Sequence, residues 1–282
     1  MEKYLFTKLS GAGNDFVLFD SRINSGLKLN PLKIRKICDR KYGVGGDGIL
    51  LISDNPGVAF DVQYYNADGS GGSLCGNGAR CAIYYCKISG RFGNELVNFT
   101  LNGTGYSGSV LEDRLVRFNL NPPGSLKYNI KFNTRNFKLN SSFIDTGSPH
   151  VVININDVLD NNSKPAFRSI DDIPLFEIGR EIRYSPEFAP GGTNVNIIEI
   201  RNDVVYIRTY ERGVENETLA CGSGSVAAAL LSNSAFGLES PVRLSTKGGS
   251  ELLVHFKRGG GNFEEVSLTG PAEVIFSGEL SI

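Results

Sequence analysis

The chain has 282 residues, 40% hydrophobic and 21% charged, which excludes a disordered, coiled-coil or collagen-like polymer and allows one large domain or two of similar size. Twenty-nine basic residues against thirty acidic ones leave a net charge of −1, without the electrostatic footprint of a nucleic-acid or membrane-surface binder. Five cysteines in so long a chain make no disulfide framework, so thiols in a reducing cytoplasm are expected.

The opening MEKYLFTKLSGAGND has no uninterrupted apolar run, and no secretory signal is expected. Short runs rich in Val, Ile, Phe and Tyr then read as strands at residues 16–19, 49–52, 61–65, 116–120, 151–155, 195–200, 204–209 and 252–256. Residues 31–40 read as a helix, with Asn30 as N-cap and Pro31 in the first helical position. Two further helices begin at Cys75-Gly-Asn-Gly and Cys221-Gly-Ser-Gly. The apolar stretch 226–231 is too short to span a bilayer. Thirty-four glycines punctuate the runs, and the fold class is α+β rather than a regular βαβ alternation.

The chain contains itself twice. Tyr65-Asn66-Ala67-Asp68-Gly69 precedes Leu74-Cys75-Gly76-Asn77-Gly78, and Tyr210-Glu211-Arg212-Gly213 precedes Ala220-Cys221-Gly222-Ser223-Gly224. An apolar helix follows each block, half a chain apart, as expected of two halves related by a pseudo-two-fold axis. A helix apolar almost all round must be wrapped, so each half is expected to be a strongly curved sheet around a central helix. Asn121-Pro122-Pro123-Gly124 marks the crossing and Gly270-Pro271 a return, predicting domains of residues 1–121 with 270–282, and 122–269.

A thiol at a helix N-terminus lies at the positive end of the macrodipole, which favours its thiolate. The Gly-[Asn/Ser]-Gly beside it lets a carboxylate approach the backbone amides. With Cys75 and Cys221 face to face across an α-carbon, one thiolate removes the α-proton while the other thiol protonates the opposite side, inverting a stereocentre without a cofactor. Cys38, Cys81 and Cys86 read as buried small hydrophobes. There is no Cys-x-x-Cys for a redox pair, and neither His150 nor His255 stands at zinc-ligand spacing from a cysteine, so no metal is expected. Gly43-Val-Gly-Gly-Asp-Gly48 matches G-x-G-x-x-G but follows a helix and precedes a strand, the wrong order for a dinucleotide site.

Nearly end to end, the chain resembles the diaminopimelate epimerases. The motifs are Phe6-Thr-Lys, Gly11-Ala-Gly-Asn-Asp-Phe-Val, Gly43-Val-Gly-Gly-Asp-Gly, Asn66-Ala-Asp-Gly-Ser, Cys75-Gly-Asn-Gly-Ala-Arg-Cys, Thr146-Gly-Ser-Pro-His, Asn194-Val-Asn, Tyr210-Glu-Arg-Gly-Val and Cys221-Gly-Ser-Gly. The resemblance implies two pseudosymmetric α/β domains, each a barrel-like, mostly antiparallel sheet around a central helix, and a homodimer working without cofactor. It implies Cys75 and Cys221 as acid and base, with the amides of Gly76, Asn77, Gly222 and Ser223 holding the reacting carboxylate. His150 and Glu211 would assist the thiols and bind the substrate ammonium. Asn14, Asn66, Asn194 and Arg212 would hold the distal end of diaminopimelate. Two departures, Ser148 where many members have an Asn and Gly48 where some have a Gln, bear on those distal contacts. Closure over the substrate, and inactivation by a Cys75–Cys221 disulfide, are further implications. The competing readings are a racemase of proline, hydroxyproline or histidine on the same scaffold, and a non-catalytic amino-acid-binding or thiol-redox protein.

Overall fold

The computed structural model describes residues 2–93, 95–112, 114–124, 126–260 and 262–282. In chain order the first elements are β1 (Lys3–Gly11), β2 (Asn14–Asp20), α1 (Pro31–Cys38), β3 (Gly48–Asn55), β4 (Val58–Asn66), α2 (Gly76–Ile88), β5 (Val97–Leu101), β6 (Thr104–Glu112) and β7 (Leu115–Asn119). There follow β8 (Leu126–Asn133), β9 (Lys138–Asp145), β10 (Pro149–Asn154), β11 (Val158–Leu159), α3 (Leu175–Arg183), β12 (Asn194–Arg201), β13 (Val204–Glu211) and β14 (Asn216–Thr218). The last are α4 (Gly222–Phe236), β15 (Val242–Thr246), β16 (Glu251–Gly259), β17 (Asn262–Pro271) and β18 (Glu273–Ser281). The chain divides into two compact units, Met1–Asn119 with Thr269–Ile282, and Leu120–Leu268.

The two units repeat one wiring. In the first, β1–β2 is antiparallel, β2–β3 parallel, β3–β4 antiparallel, β4–β5 parallel and β5–β6 antiparallel. In the second, β9–β10, β10–β12, β12–β13, β13–β15 and β15–β16 follow the same series. The parallel steps need crossovers, and the helices supply them. In both units a short helix lies between the second and third strands and a long one between the fourth and fifth.

The long helix is the core of each unit. Helix α2 packs on β1, β2, β3, β4, β6, β7 and β18, and α4 on β9, β10, β12, β13, β15 and β16. Residues 222–232 of α4 are buried without exception, which its apolar sequence requires. Helix α2 is not apolar all round, as the repeat suggests: Arg80 is completely buried in it.

The short helices explain two differences from the sequence reading. Asn30 caps α1 by accepting from the Lys33 amide, but the helix stops at Cys38 rather than residue 40, because Asp39 is extended and its carboxylate takes the Lys41 and Tyr42 amides. Helix α3 is absent from the sequence reading, being only about two and a half turns, LFEIGREIR, with Gly179 at its middle. That glycine is a close approach: a Cβ there would lie 2.5 Å from the Tyr210 Cβ. No helix among the described residues is long and apolar enough to cross a membrane.

Candidate active site

Both repeated cysteines are helix N-caps with almost the same backbone. Cys75 has φ −118° and ψ 102° ahead of α2, and Cys221 has φ −122° and ψ 111° ahead of α4. Each thus stands where unpaired amides and the helix dipole favour negative charge. Cys75 Sγ accepts the Gly78 amide at 3.3 Å. All five cysteines are thiols rather than disulfides. Burial pushes the Cys38 thiol up to about 12 and raises those of Cys81 and Cys86 further, so these three stay protonated.

In the first unit the surroundings of Cys75 are carboxamides. Asn14 Oδ1 lies 3.7 Å from Cys75 Sγ and accepts from Asn77 Nδ2 at 3.3 Å. Asn77 Oδ1 in turn accepts from Arg80 Nη2 at 2.9 Å. Asn14 Nδ2 donates to Asp47 Oδ2 at 2.5 Å, and Asp47 is steadied by the Asp15 amide and by Arg40. An anion at one end and a cation at the other leave each amide a single orientation, with Asn14 showing an oxygen to the sulfur. Asp47 and Arg80 were not singled out from sequence. Asp47 belongs to the glycine-rich loop read as no dinucleotide site, and that loop delivers the carboxylate to Asn14. Arg80 has no carboxylate partner among the described residues; burial lowers its pKa to about 10, and it remains a cation at neutral pH. Asn66 turns away into its own loop, donating to Ser70 Oγ at 3.0 Å.

In the second unit Cys221 is followed by a different set. Ser223 Oγ is 3.6 Å from Cys221 Sγ and 2.9 Å from His150 Nε2. His150 Nδ1 is 3.1 Å from Asn196 Nδ2, and Asn196 Oδ1 accepts from Thr209 Oγ1 at 2.9 Å. His150 is fully buried, and desolvation, with the Arg212 charge behind it, lowers its pKa to about 3. It is therefore neutral, and both ring nitrogens already have protein partners. Asn196 was quoted as part of a motif but assigned no role. Strand alternation is the signal for it, since Asn194 and Asn196 share one face of β12.

Beside this set, Asn194 and Arg212 are joined. The Arg212 amide donates to Asn194 Oδ1 at 2.9 Å, while Asn194 Nδ2 reaches Ser148 Oγ and the Pro149 carbonyl, each at 3.0 Å. Ser148 therefore steadies Asn194. Arg212 is half-buried, its pKa lowered by desolvation and by Arg183. Glu211 Oε2 accepts from Thr218 Oγ1 at 2.8 Å. At the other departure, a Cβ on Gly48 would lie 2.5 Å from the Tyr65 carbonyl oxygen and 2.6 Å from the Tyr64 ring, so no side chain fits there. A cleft of about 510 Å³ in the second unit, lined among others by Asn140, Asn154 and Arg258, contains none of these residues. No cluster of three or more His, Cys, Asp or Glu among the described residues suits a metal.

The diaminopimelate epimerase family profile matches residues 6–114 and 142–275. The chain is 37% identical to the diaminopimelate epimerase of Chlorobaculum tepidum over 281 residues, covering 97% of this chain and all of that one. It is also 37% identical to the Aquifex aeolicus diaminopimelate epimerase over 287 residues, covering 98% of this chain and 97% of the relative. Among solved structures it is similar to a probable proline racemase from Agrobacterium radiobacter, with a TM-score of 0.73 over 99% of this chain and 93% of that one. A hydroxyproline epimerase from Agrobacterium vitis gives 0.71 over 99% and 91%. Both are only 12% identical to this chain, so they speak for the fold alone.

Proposed function

This chain belongs to the diaminopimelate epimerase family, and on that premise we propose that it is an isomerase interconverting LL- and meso-2,6-diaminopimelate, with Cys75 and Cys221 as the two proton-transfer groups. The observation that carries this reading is the pair of cysteine N-caps with matching backbone in two units of matching wiring. The α-carboxylate binds at the helix N-termini, on the amides of Gly76 and Asn77 and of Gly222 and Ser223. One cysteine, as thiolate, takes the α-proton; the C–H electron pair passes into the carboxylate, where those amides stabilise it. The other cysteine, as thiol, gives its proton to the opposite face. The stereocentre is inverted, and the enzyme is left with the two protonation states exchanged. No electron acceptor is needed, in keeping with a reaction that uses no pyridoxal phosphate.

Arg212, with Asn194 fixed on Ser148, is suited to grip the distal carboxylate, and Asn14 and Glu211 complete the polar surround of the substrate, whereas Asn66 is engaged within its own loop. His150 reaches Cys221 through Ser223 rather than directly, so its part is to tune that thiol. A homodimer in the cytoplasm is the setting proposed.

The test is proton NMR of LL-diaminopimelate with reduced protein in D₂O. Loss of the α-proton signal with growth of the meso form is expected, and Cys75→Ser or Cys221→Ser should each lower the rate at least about 10²-fold. Arg212→Met should raise KM about 10- to 100-fold, the worth of one charge-assisted grip. Exchange from proline or histidine but not from diaminopimelate, indifferent to Arg212→Met, would move the substrate. Absence of exchange with every amino acid would end the enzymatic reading.

A further inference from the structure

We propose that Asn196 is a positioning residue that holds His150 in its Nε2–H form, so that the His150–Ser223 pair donates a hydrogen bond to the Cys221 sulfur and keeps this cysteine as the thiolate. The inference deepens the two-thiol reading and rests on it for the use made of that thiolate.

The direction of the chain of hydrogen bonds follows from its fixed end. The Val151 carbonyl oxygen can only accept, and Asn196 Nδ2 lies 2.9 Å from it. The amide nitrogen therefore faces β10, and Asn196 Oδ1 is left to accept from Thr209 Oγ1. The second N–H of Nδ2 points at His150 Nδ1 across 3.1 Å, so Nδ1 must offer its lone pair. Because burial keeps the ring neutral, its single proton is then on Nε2 and goes to Ser223 Oγ at 2.9 Å. Ser223 accepts there and has its own hydrogen to give, with Cys221 Sγ at 3.6 Å. A thiolate is the stronger acceptor of such a bond, so its proton affinity falls. The opposite tautomer would set an Asn196 N–H against a His150 N–H, which nothing here repays.

The second glycine of the Cys-Gly-Ser-Gly block fits the same account. A Cβ on Gly224 would lie 2.4 Å from Asn196 Oδ1 and 3.3 Å from both the Cys221 sulfur and His150 Cε1. The glycine gives the amide and the imidazole their place against the start of α4.

The ionisable groups around this chain are few. Helix α4 brings none and β10 only His150. On β12, Glu199 and Arg201 pair with each other at the far end, and on β13 Arg208 pairs with Glu217 while Glu211 accepts from Thr218. Asp145 closes β9, where it accepts the Gly147 amide, and Arg212 acts on His150 through its charge. The ionisable residues of β15 and β16, Arg243, Glu251, His255, Lys257 and Arg258, belong to the strands that follow α4.

Two readouts on the reduced, full-length protein test the proposal, and neither uses diaminopimelate. Long-range ¹H–¹⁵N correlation on protein labelled at histidine, assigned with His255→Gln, should show His150 protonated at Nε2 and bare at Nδ1. The pH dependence of iodoacetamide alkylation, resolved to Cys221 by mass spectrometry, should shift upward by about one unit in Ser223→Ala and in Asn196→Leu, a tenfold loss of reactivity near neutrality. A merely structural Asn196 would leave that midpoint where it is. Should Asn196→Leu not fold, the tautomer and the Ser223→Ala midpoint decide. A wild-type Nδ1–H tautomer, or an unmoved Cys221 midpoint in folded Ser223→Ala, overturns the inference. A protein that epimerises diaminopimelate yet fails these tests keeps its function and loses this device; one that passes them without epimerising does the reverse.

Discussion

His150 has no exposed surface, and its imidazole stays neutral far below the usual titration range because charging it would strand a cation away from water. Its folded pKa of about 3 lies under the ordinary 6.5, so between those values the unfolded chain binds the extra proton. Stability therefore rises with pH across that window and is lost as pH falls from about 6.5 to 3. The upper limit for this one group is about 5 kcal/mol. Urea unfolding of the wild type and of His150→Gln should give curves that converge with acidification, the variant having the flatter pH dependence; parallel curves would show His150 titrating normally. The cysteines were legible in the sequence because the repeat marks them, and His150 came only from the resemblance. Asn196, Asp47 and Arg80 were not legible, because a buried polar residue gains its meaning from partners that strand pairing brings from elsewhere in the chain. Asp47 and Asn14 are 33 positions apart in the chain, and only the fold joins them, at 2.5 Å.

The two central helices, of 13 and 15 residues, each start at a cysteine N-cap and are largely buried, yet one carries a buried cation and the other has no charged residue. Arg80 stands five residues after Cys75, and Val226 stands five after Cys221. Hydrophobic periodicity shows each helix as a buried one but says nothing about a single charged side chain within it, which is why the wrapping sheets were foreseen and Arg80 was not. Helix α3 was missed for a related reason, its nine residues including a glycine whose value lies in the ring of Tyr210. The guanidinium has two neutral acceptors, Gly76 O and Asn77 Oδ1, and its Nε has none. Desolvation of such a cation offsets most of what its hydrogen bonds contribute. Arg80→Met should consequently hold thermal stability within about 1 kcal/mol of wild type, while freeing Asn77 to turn and lowering epimerisation about tenfold. Calorimetry with the D₂O exchange assay separates the two effects; a large fall in melting temperature with unchanged specific activity would make Arg80 a purely structural residue.

At the scale of the chain, the repeat was visible through its two cysteine blocks and the return of the last segment was expected from Gly270-Pro271, whereas the strand's partner and register were not, because pairing between the two ends of a sequence leaves no local pattern. β18 runs antiparallel to β1 from Lys3↔Ser281 to Ser10↔Glu273, with a bulge after Lys8. Leu280 and Ile282 also pack on the cluster formed by Tyr4, Phe6, Val17, Phe19, Ile34, Ile37 and Ile49. Removing residues 273–282 would leave β1 an open edge and strip two apolar side chains, each worth about 1–2 kcal/mol, from that cluster. The second unit draws its own core from α3 and the strands around it and takes nothing from β18. Hydrogen exchange on the truncated chain should therefore show α2 losing protection while α4 keeps most of its own. Loss in both helices together would mean that the two units fold as one cooperative body, and the stability of Cys221's helix would then depend on the ten residues that close the other half.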